Sequence, residues 1–188
     1  EDGIIKGVFE PGEVLEYNKE IDLCGKYLMP GLVDIHTHGR GGHDFNFIDD
    51  DAVTLMRRSY AEAGTTTVMA TLASVELNEL YHSAEVIGRH RTSDKGLATL
   101  AGIHLEGRYL NPKRRGAHNP DLLAPLDPDE LEKLAGAMMP LPLHVSAAFE
   151  LDEGYKFLDR AVKLGATCSL AHLSLIHISE PTRRSYIS

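Results

Sequence analysis

A parallel α/β fold forming part of an eight-stranded barrel is what the 188 residues predict, and three observations carry that prediction. From Leu32 onward, strand-like runs alternate with amphipathic helical stretches, the order that builds a parallel sheet. His36, His38, Glu106, Glu150 and His172 all fall at the C-terminal ends of the expected strands, where barrels and open α/β sheets keep their chemistry. No GxGxxG or GxxxxGKS/T run follows any strand, which removes support from the nucleotide-binding doubly wound sheets.

Residues 1–28 read as short strands and turns, punctuated by Pro11-Gly12 and Cys24-Gly25, with Ile21-Asp22-Leu23 alternating. The first barrel strand is expected over 31–38, followed by a helix over 51–63 that Gly64 stops. A second strand over 65–71, rich in threonine and valine, precedes a helix over 75–91. The third strand covers 98–106. A loop over 107–126, dense in Gly, Pro, Asn and Arg, leads to a helix opened by Asp127-Pro128-Asp129-Glu130. The fourth strand spans 143–149, a helix over 153–164 stops at Gly165, and the fifth strand spans 166–172. A complete barrel takes about 250 residues, so this reads as a fragment, with a partial barrel over 31–174. The tail 175–188, including His177, continues neither pattern and is expected to be artefactual or disordered.

Composition narrows the function. With 43% hydrophobic and 25% charged residues the chain is an ordinary globular protein. Nineteen basic against 28 acidic residues give a net charge of −9, so no broad footprint for nucleic acid or an anionic membrane is present, and an anionic ligand needs a local basic site. The apolar runs fall short of the roughly 20 residues that span a bilayer, and no signal peptide is apparent; a cytoplasmic protein is expected. Cys24 and Cys168 have no CxxC partner and are expected to be reduced, structural residues. Ten histidines direct attention to metal or acid-base chemistry.

His36 and His38 stand two apart on a strand, so both side chains leave the same face and can grip one ion. They sit at the strand's exit, before a flexible loop at 39–42. Asp34 shares that face and either orients an imidazole or caps locally. His43 and Asp44 read as residues of a mobile polar loop, on the surface or at the site's edge. Glu106 ends an apolar strand, where a carboxylate can hold one divalent ion beside neutral imidazoles or bridge two; such ligands suit Zn, Fe, Mn or Co. His104, one layer deeper, is read as a packed core histidine, and His172 as a ligand. Lys113, Arg114 and Arg115, beside His118 and Asn119, suit an anionic, hydroxyl-rich ligand such as a sugar phosphate, or form a solvated surface. Glu150 is a second-layer or substrate group, or a helix cap.

The segment PGLVDIHTHG at 30–39 resembles the amidohydrolase superfamily, and HLEG at 104–107 together with NPKRRGAHNP at 111–120 resembles, within it, the N-acetylglucosamine-6-phosphate deacetylase family. The resemblance implies an incomplete (β/α)8 TIM barrel of the metal-dependent amidohydrolase type, with residues 1–30 as the remnant of a small flanking β domain. It implies His36, His38, Glu106 and His172 as ligands of one or two divalent metal ions. It implies Ala117, His118 and Asn119 as substrate-binding residues, a sugar phosphate as substrate, and a whole protein that assembles as a homo-oligomer. The reaction implied is hydrolysis of the N-acetyl group of N-acetylglucosamine 6-phosphate. Two positions depart from the pattern: Arg108 stands where HLEGP has proline, and Leu173-Ser174 where SNA is usual. The family's catalytic aspartate, on the eighth strand, lies past the last residue, so the chain itself is expected to be inactive. Another metal-dependent amidohydrolase, a cyclic amidase or deaminase, and a non-catalytic partial barrel are the competing readings.

Overall fold

The structure, a computed structural model, describes all residues except 1–3, 11, 14, 15, 92–95 and 175–188. The expectation for the tail, His177 included, lies outside the described residues. The chain divides into two units, 1–30 and the residues from Gly31 onward.

The described residues of the first unit contain no strand and no helix, which corrects the expectation of short strands there. Ile5, Val8 and Ile21 are exposed, and alternation of this kind makes a strand only where another strand pairs with it. A turn does form at Cys24-Gly25: Cys24 N donates to Asp22 Oδ1 at 2.8 Å, Lys26 N donates to Leu23 O at 2.9 Å, and Cys24 adopts a φ of 50°. Cys24 is free but exposed, so it is not a structural core residue; Cys168 is free and half-buried.

The second unit is a parallel five-stranded sheet that curls into half a barrel. Its strands are β1 (Leu32–Thr37), β4 (Thr65–Leu72), β5 (Thr99–Glu106), β6 (Leu143–Ala147) and β7 (Thr167–Leu170), paired in that order. Helices α1 (Asp50–Glu62), α2 (Leu77–Arg89), α3 (Pro128–Met138) and α4 (Lys156–Lys163) connect successive strands, as parallel pairing demands. The helices bury one apolar stripe each against the sheet: Val53, Met56 and Tyr60 from α1, Leu80 and Ile87 from α2, Leu131 and Leu134 from α3, and Phe157 from α4. Each such side chain contributes about 1.5–3 kcal/mol on burial. Asp49 starts α1 by accepting from Ala52 N at 2.7 Å, and Asp127 starts α3 by accepting from Asp129 N at 2.8 Å.

Three local expectations change. Residues 39–44 are not a loose loop but an antiparallel hairpin of β2 (Gly39–Arg40) and β3 (His43–Asp44). The fourth helix begins late, because Gly154 and Tyr155 take φ of 70° and 56° and break its first turn. The fifth strand ends at Leu170 instead of His172, whose φ of 52° turns the chain away from the sheet.

Arg108, where the related motif has proline, has a φ of 58° that proline cannot adopt. Its guanidinium donates to Glu130 Oε1 and Oε2, both at 3.1 Å, and Tyr109 Oη donates to Glu130 Oε1 at 2.9 Å. Burial and this carboxylate push the Tyr109 phenol up. The cluster fastens the β5 exit to the first turn of α3. Glu130→Ala strands a largely buried cation, and the expected loss of stability is about 2 kcal/mol, read as a lowered urea midpoint with unchanged slope.

Candidate metal and substrate site

Because all five strands are parallel, their C-terminal ends form one rim, and the histidines and carboxylate of the sequence analysis meet there. Glu106 closes β5 with its side chain 9% exposed. Its Oε2 lies 2.9 Å from His36 Nε2 and 2.8 Å from His38 Nε2, and its Oε1 lies 3.5 Å from His172 Nε2. The His38 hydrogen bond, reinforced by the charge of His36, holds the Glu106 carboxyl down at about 2. The same contact raises His38.

Two ligand groups share this carboxylate: His36, His38 and Glu106 form one, Glu106, His118 and His172 the other. The donor set fits a divalent cation. His172 Nδ1 meets the Arg114 carbonyl at 2.8 Å and must donate to it, which in the neutral ring leaves Nε2 bare before Glu106 Oε1. A lone pair facing a carboxylate is repulsive unless a cation or proton lies between them, and a ligand histidine ordinarily gives its other N–H to such a carbonyl.

Asp34 Oδ1 accepts the main-chain N–H of His36 at 3.1 Å, so it shapes the strand backbone and not an imidazole. His104 is buried, with Nδ1 3.2 Å from Thr71 Oγ1 and Nε2 2.8 Å from Ser146 Oγ. Burial holds it down at about 4. It is a core histidine whose ring meets His36 edge-on at 4.7 Å.

A cleft of about 460 Å³ opens beside the carboxylate, lined by His38, Asp44, Ser74, Ala117, His118 and Asn119 among others. Asp44 therefore edges the site, while its Oδ1 accepts from Asn46 N and Nδ2 at 2.7 and 2.9 Å. His43 lies elsewhere, in a shallow recess with Arg40 and Arg58. Lys113, Arg114 and Arg115 do not line the cleft; their service is to the loop. The Arg114 carbonyl holds His172, and Arg115 Nη1 donates to His118 O at 2.6 Å. Glu150 Oε1 accepts from Asn111 Nδ2 and from Ser174 N, each at 2.6 Å, tying the loop to the segment after β7. Burial and the neighbouring His172 lower the His118 pKa.

Two groups escaped the sequence reading. His144, in register with His104 and half-buried, bonds Thr167 Oγ1 at 2.7 Å and Ser169 Oγ at 2.9 Å. Its sequence clue was that it shares an inward face with Ser146. Ser74, just past β4, touches His118 Nδ1 through its hydroxyl at 3.0 Å, and nothing in the sequence marked it.

No protein-family model matches the chain. It is 30% identical over 179 residues to an N-acetylglucosamine-6-phosphate deacetylase of Bacillus subtilis, covering 91% of this chain and 44% of that protein. Among solved structures, an N-acetyl-D-glucosamine-6-phosphate deacetylase variant from Mycobacterium smegmatis, in complex with N-acetyl-D-glucosamine-6-phosphate, matches with a TM-score of 0.68 and 31% identity over 77% of this chain and 37% of that one. The corresponding enzyme of Pasteurella multocida matches with a TM-score of 0.74 and 25% identity over 86% of this chain and 42% of that one. The chain thus spans less than half the length of the relatives it matches.

Proposed function

We propose, from the premise that the chain is N-acetylglucosamine-6-phosphate deacetylase-like over the stretch it spans, that its rim site serves hydrolysis of the N-acetyl group of N-acetylglucosamine 6-phosphate to glucosamine 6-phosphate and acetate. The observation that carries this reading is that the loop bearing Ala117, His118 and Asn119 lines the same cleft as His38, and that His118 stands beside the carboxylate shared by the histidines. His36, His38, Glu106 and His172 would hold one or two divalent ions of the Zn, Fe, Mn or Co type. Such an ion, when bound, polarises the amide carbonyl and brings the pKa of water toward about 7. Glu106 is committed to the cation and cannot double as the base. Ala117, His118 and Asn119 offer main-chain and side-chain polar groups to the sugar phosphate.

Proton transfer from water to the leaving amine needs a further carboxylate. Asp44 is bonded to Asn46, and Glu150 to Asn111 and Ser174, so neither is offered for that role. The family resemblance assigns that role to an aspartate of the eighth strand. We place the chemistry in the cytoplasm. In the described residues no helix is long and apolar enough to cross a membrane.

Calorimetric titration of the Zn²⁺-loaded chain tests the reading. N-acetylglucosamine 6-phosphate should bind in preference to N-acetylglucosamine and to a dihydropyrimidine. His118→Ala should weaken that binding by roughly fivefold to tenfold, the worth of one buried hydrogen bond. Tighter binding of the cyclic amide would transfer the site to the cyclic-amidase reading.

A further inference from the structure

His118 can meet a ligand in two opposite ways, with a lone pair or with an N–H, and its neighbours decide between them. Its Nδ1 lies 3.0 Å from Ser74 Oγ and 3.5 Å from Ser74 N. The Ser74 amide can only donate. The Ser74 hydroxyl already accepts from Arg108 N at 2.9 Å, which leaves its own hydrogen free to be given. Both groups before Nδ1 are satisfied together only if Nδ1 is bare and accepts; the ring hydrogen then resides on Nε2. His172, 5.2 Å away and edge-on to it, carries its hydrogen on Nδ1, the reverse arrangement, because that nitrogen faces the Arg114 carbonyl.

We propose that Ser74 is a positioning residue: fed by the Arg108 amide, it fixes His118 in the Nε2–H tautomer, so that His118 meets the ligand as a hydrogen-bond donor while His172 is left to hold the cation. This rests on reading the rim as a ligand site and adds a division of labour between its two adjacent imidazoles. The ligand group so recognised is an acceptor oxygen, a carbonyl or phosphoryl oxygen, and not a cation. The device depends on backbone as much as on side chain. Arg108 presents its amide to Ser74 with its φ at 58°, a conformation closed to proline. Gly107 leaves room for Ser74, because a Cβ there would lie 2.6 Å from Ser74 Oγ and 2.8 Å from the Ala73 carbonyl carbon.

The test is ¹⁵N NMR of the histidine rings in the whole metal-free chain at neutral pH, His118 being assigned through its loss in His118→Gln. The expected spectrum shows a protonated Nε2 and a bare Nδ1 for His118. Ser74→Ala should collapse that pattern toward an averaged pair of tautomers, and Ser74→Thr, which keeps the hydroxyl, should restore it. A protonated His118 Nδ1 in the unsubstituted chain overturns the proposal before any variant is made. A Ser74→Ala spectrum identical to the parent's overturns it as well. Failure of the sugar phosphate to bind would sink the functional reading and leave this spectrum, and hence the role of Ser74, standing.

Discussion

Glu106→Gln should lower the affinity of the chain for Zn²⁺ by more than roughly 100-fold, beyond the loss that follows from disturbing a ligand's outer support alone. Glu106 is the one residue common to both ligand groups among the described residues, and it supplies the only negative charge in either. Glutamine keeps the shape and one acceptor oxygen but removes the charge that opposes His36, His38 and His172, so three imidazoles remain with nothing to balance a dication. Competition against a chelating dye measures the affinity, and a far-ultraviolet spectrum confirms that the near-isosteric variant is folded. An affinity within tenfold of the parent's would show that the histidines bind on their own and that the shared carboxylate is not the centre of the site.

The convergence behind that prediction was legible in the sequence because it follows from topology. In a parallel sheet every strand exit lies on one rim, so His36 and His38, Glu106 and His172 had to meet once the strands were placed. The strands themselves were written in local composition: the Thr-Val run after Gly64 and the apolar run ending at Glu106 became Thr65–Leu72 and Thr99–Glu106. Chain direction at His172 was not so written. Its ring bonds a carbonyl 58 residues earlier, and a contact of that span sets a backbone angle that no local pattern records. The hairpin at Gly39–Arg40 and His43–Asp44 did have its clue in Gly41-Gly42, a pair suited to a two-residue turn. Two glycines fit a flexible loop equally well. In the first unit the error ran the other way, since alternation such as Ile21-Asp22-Leu23 makes a strand only where a neighbour pairs with it.

Roles were less legible than positions. Three consecutive basic residues suggested phosphate contact, yet Arg114 serves through its carbonyl and Arg115 through a bond to the His118 carbonyl. The main-chain service of Arg114 is independent of side-chain type, so residue identity carried no information about it, and the guanidinium of Arg115 is spent within its own loop. Ser74 acts through its hydroxyl, but it is 44 residues from His118, and its part in the site comes from a close approach of two strand exits that no local pattern records.

That approach makes Gly107→Ala strongly damaging, with an expected loss of about 3 kcal/mol or more from strain and close contact combined. Gly107 holds a φ of 148°, and an added Cβ would press on Ser74 N, Ser74 Oγ and the Ala73 carbonyl carbon. Two of these atoms belong to the backbone, so no rotamer change relieves the contact, and the β4 exit must withdraw. Withdrawal breaks the bond from Arg108 N to Ser74 Oγ, and with it the support of His118. Gly64→Ala is the matched control: φ there is 87°, but nothing lies within 4 Å of the added carbon, so it carries the left-handed penalty alone, about 1–2 kcal/mol. Urea unfolding of the two variants, compared at equal slope, isolates the contact as the difference between them. Equal losses would mean that β4 and β5 part without cost at their exits. A larger loss for Gly107→Ala, accompanied by a disturbed His118 resonance, is the outcome the packing requires.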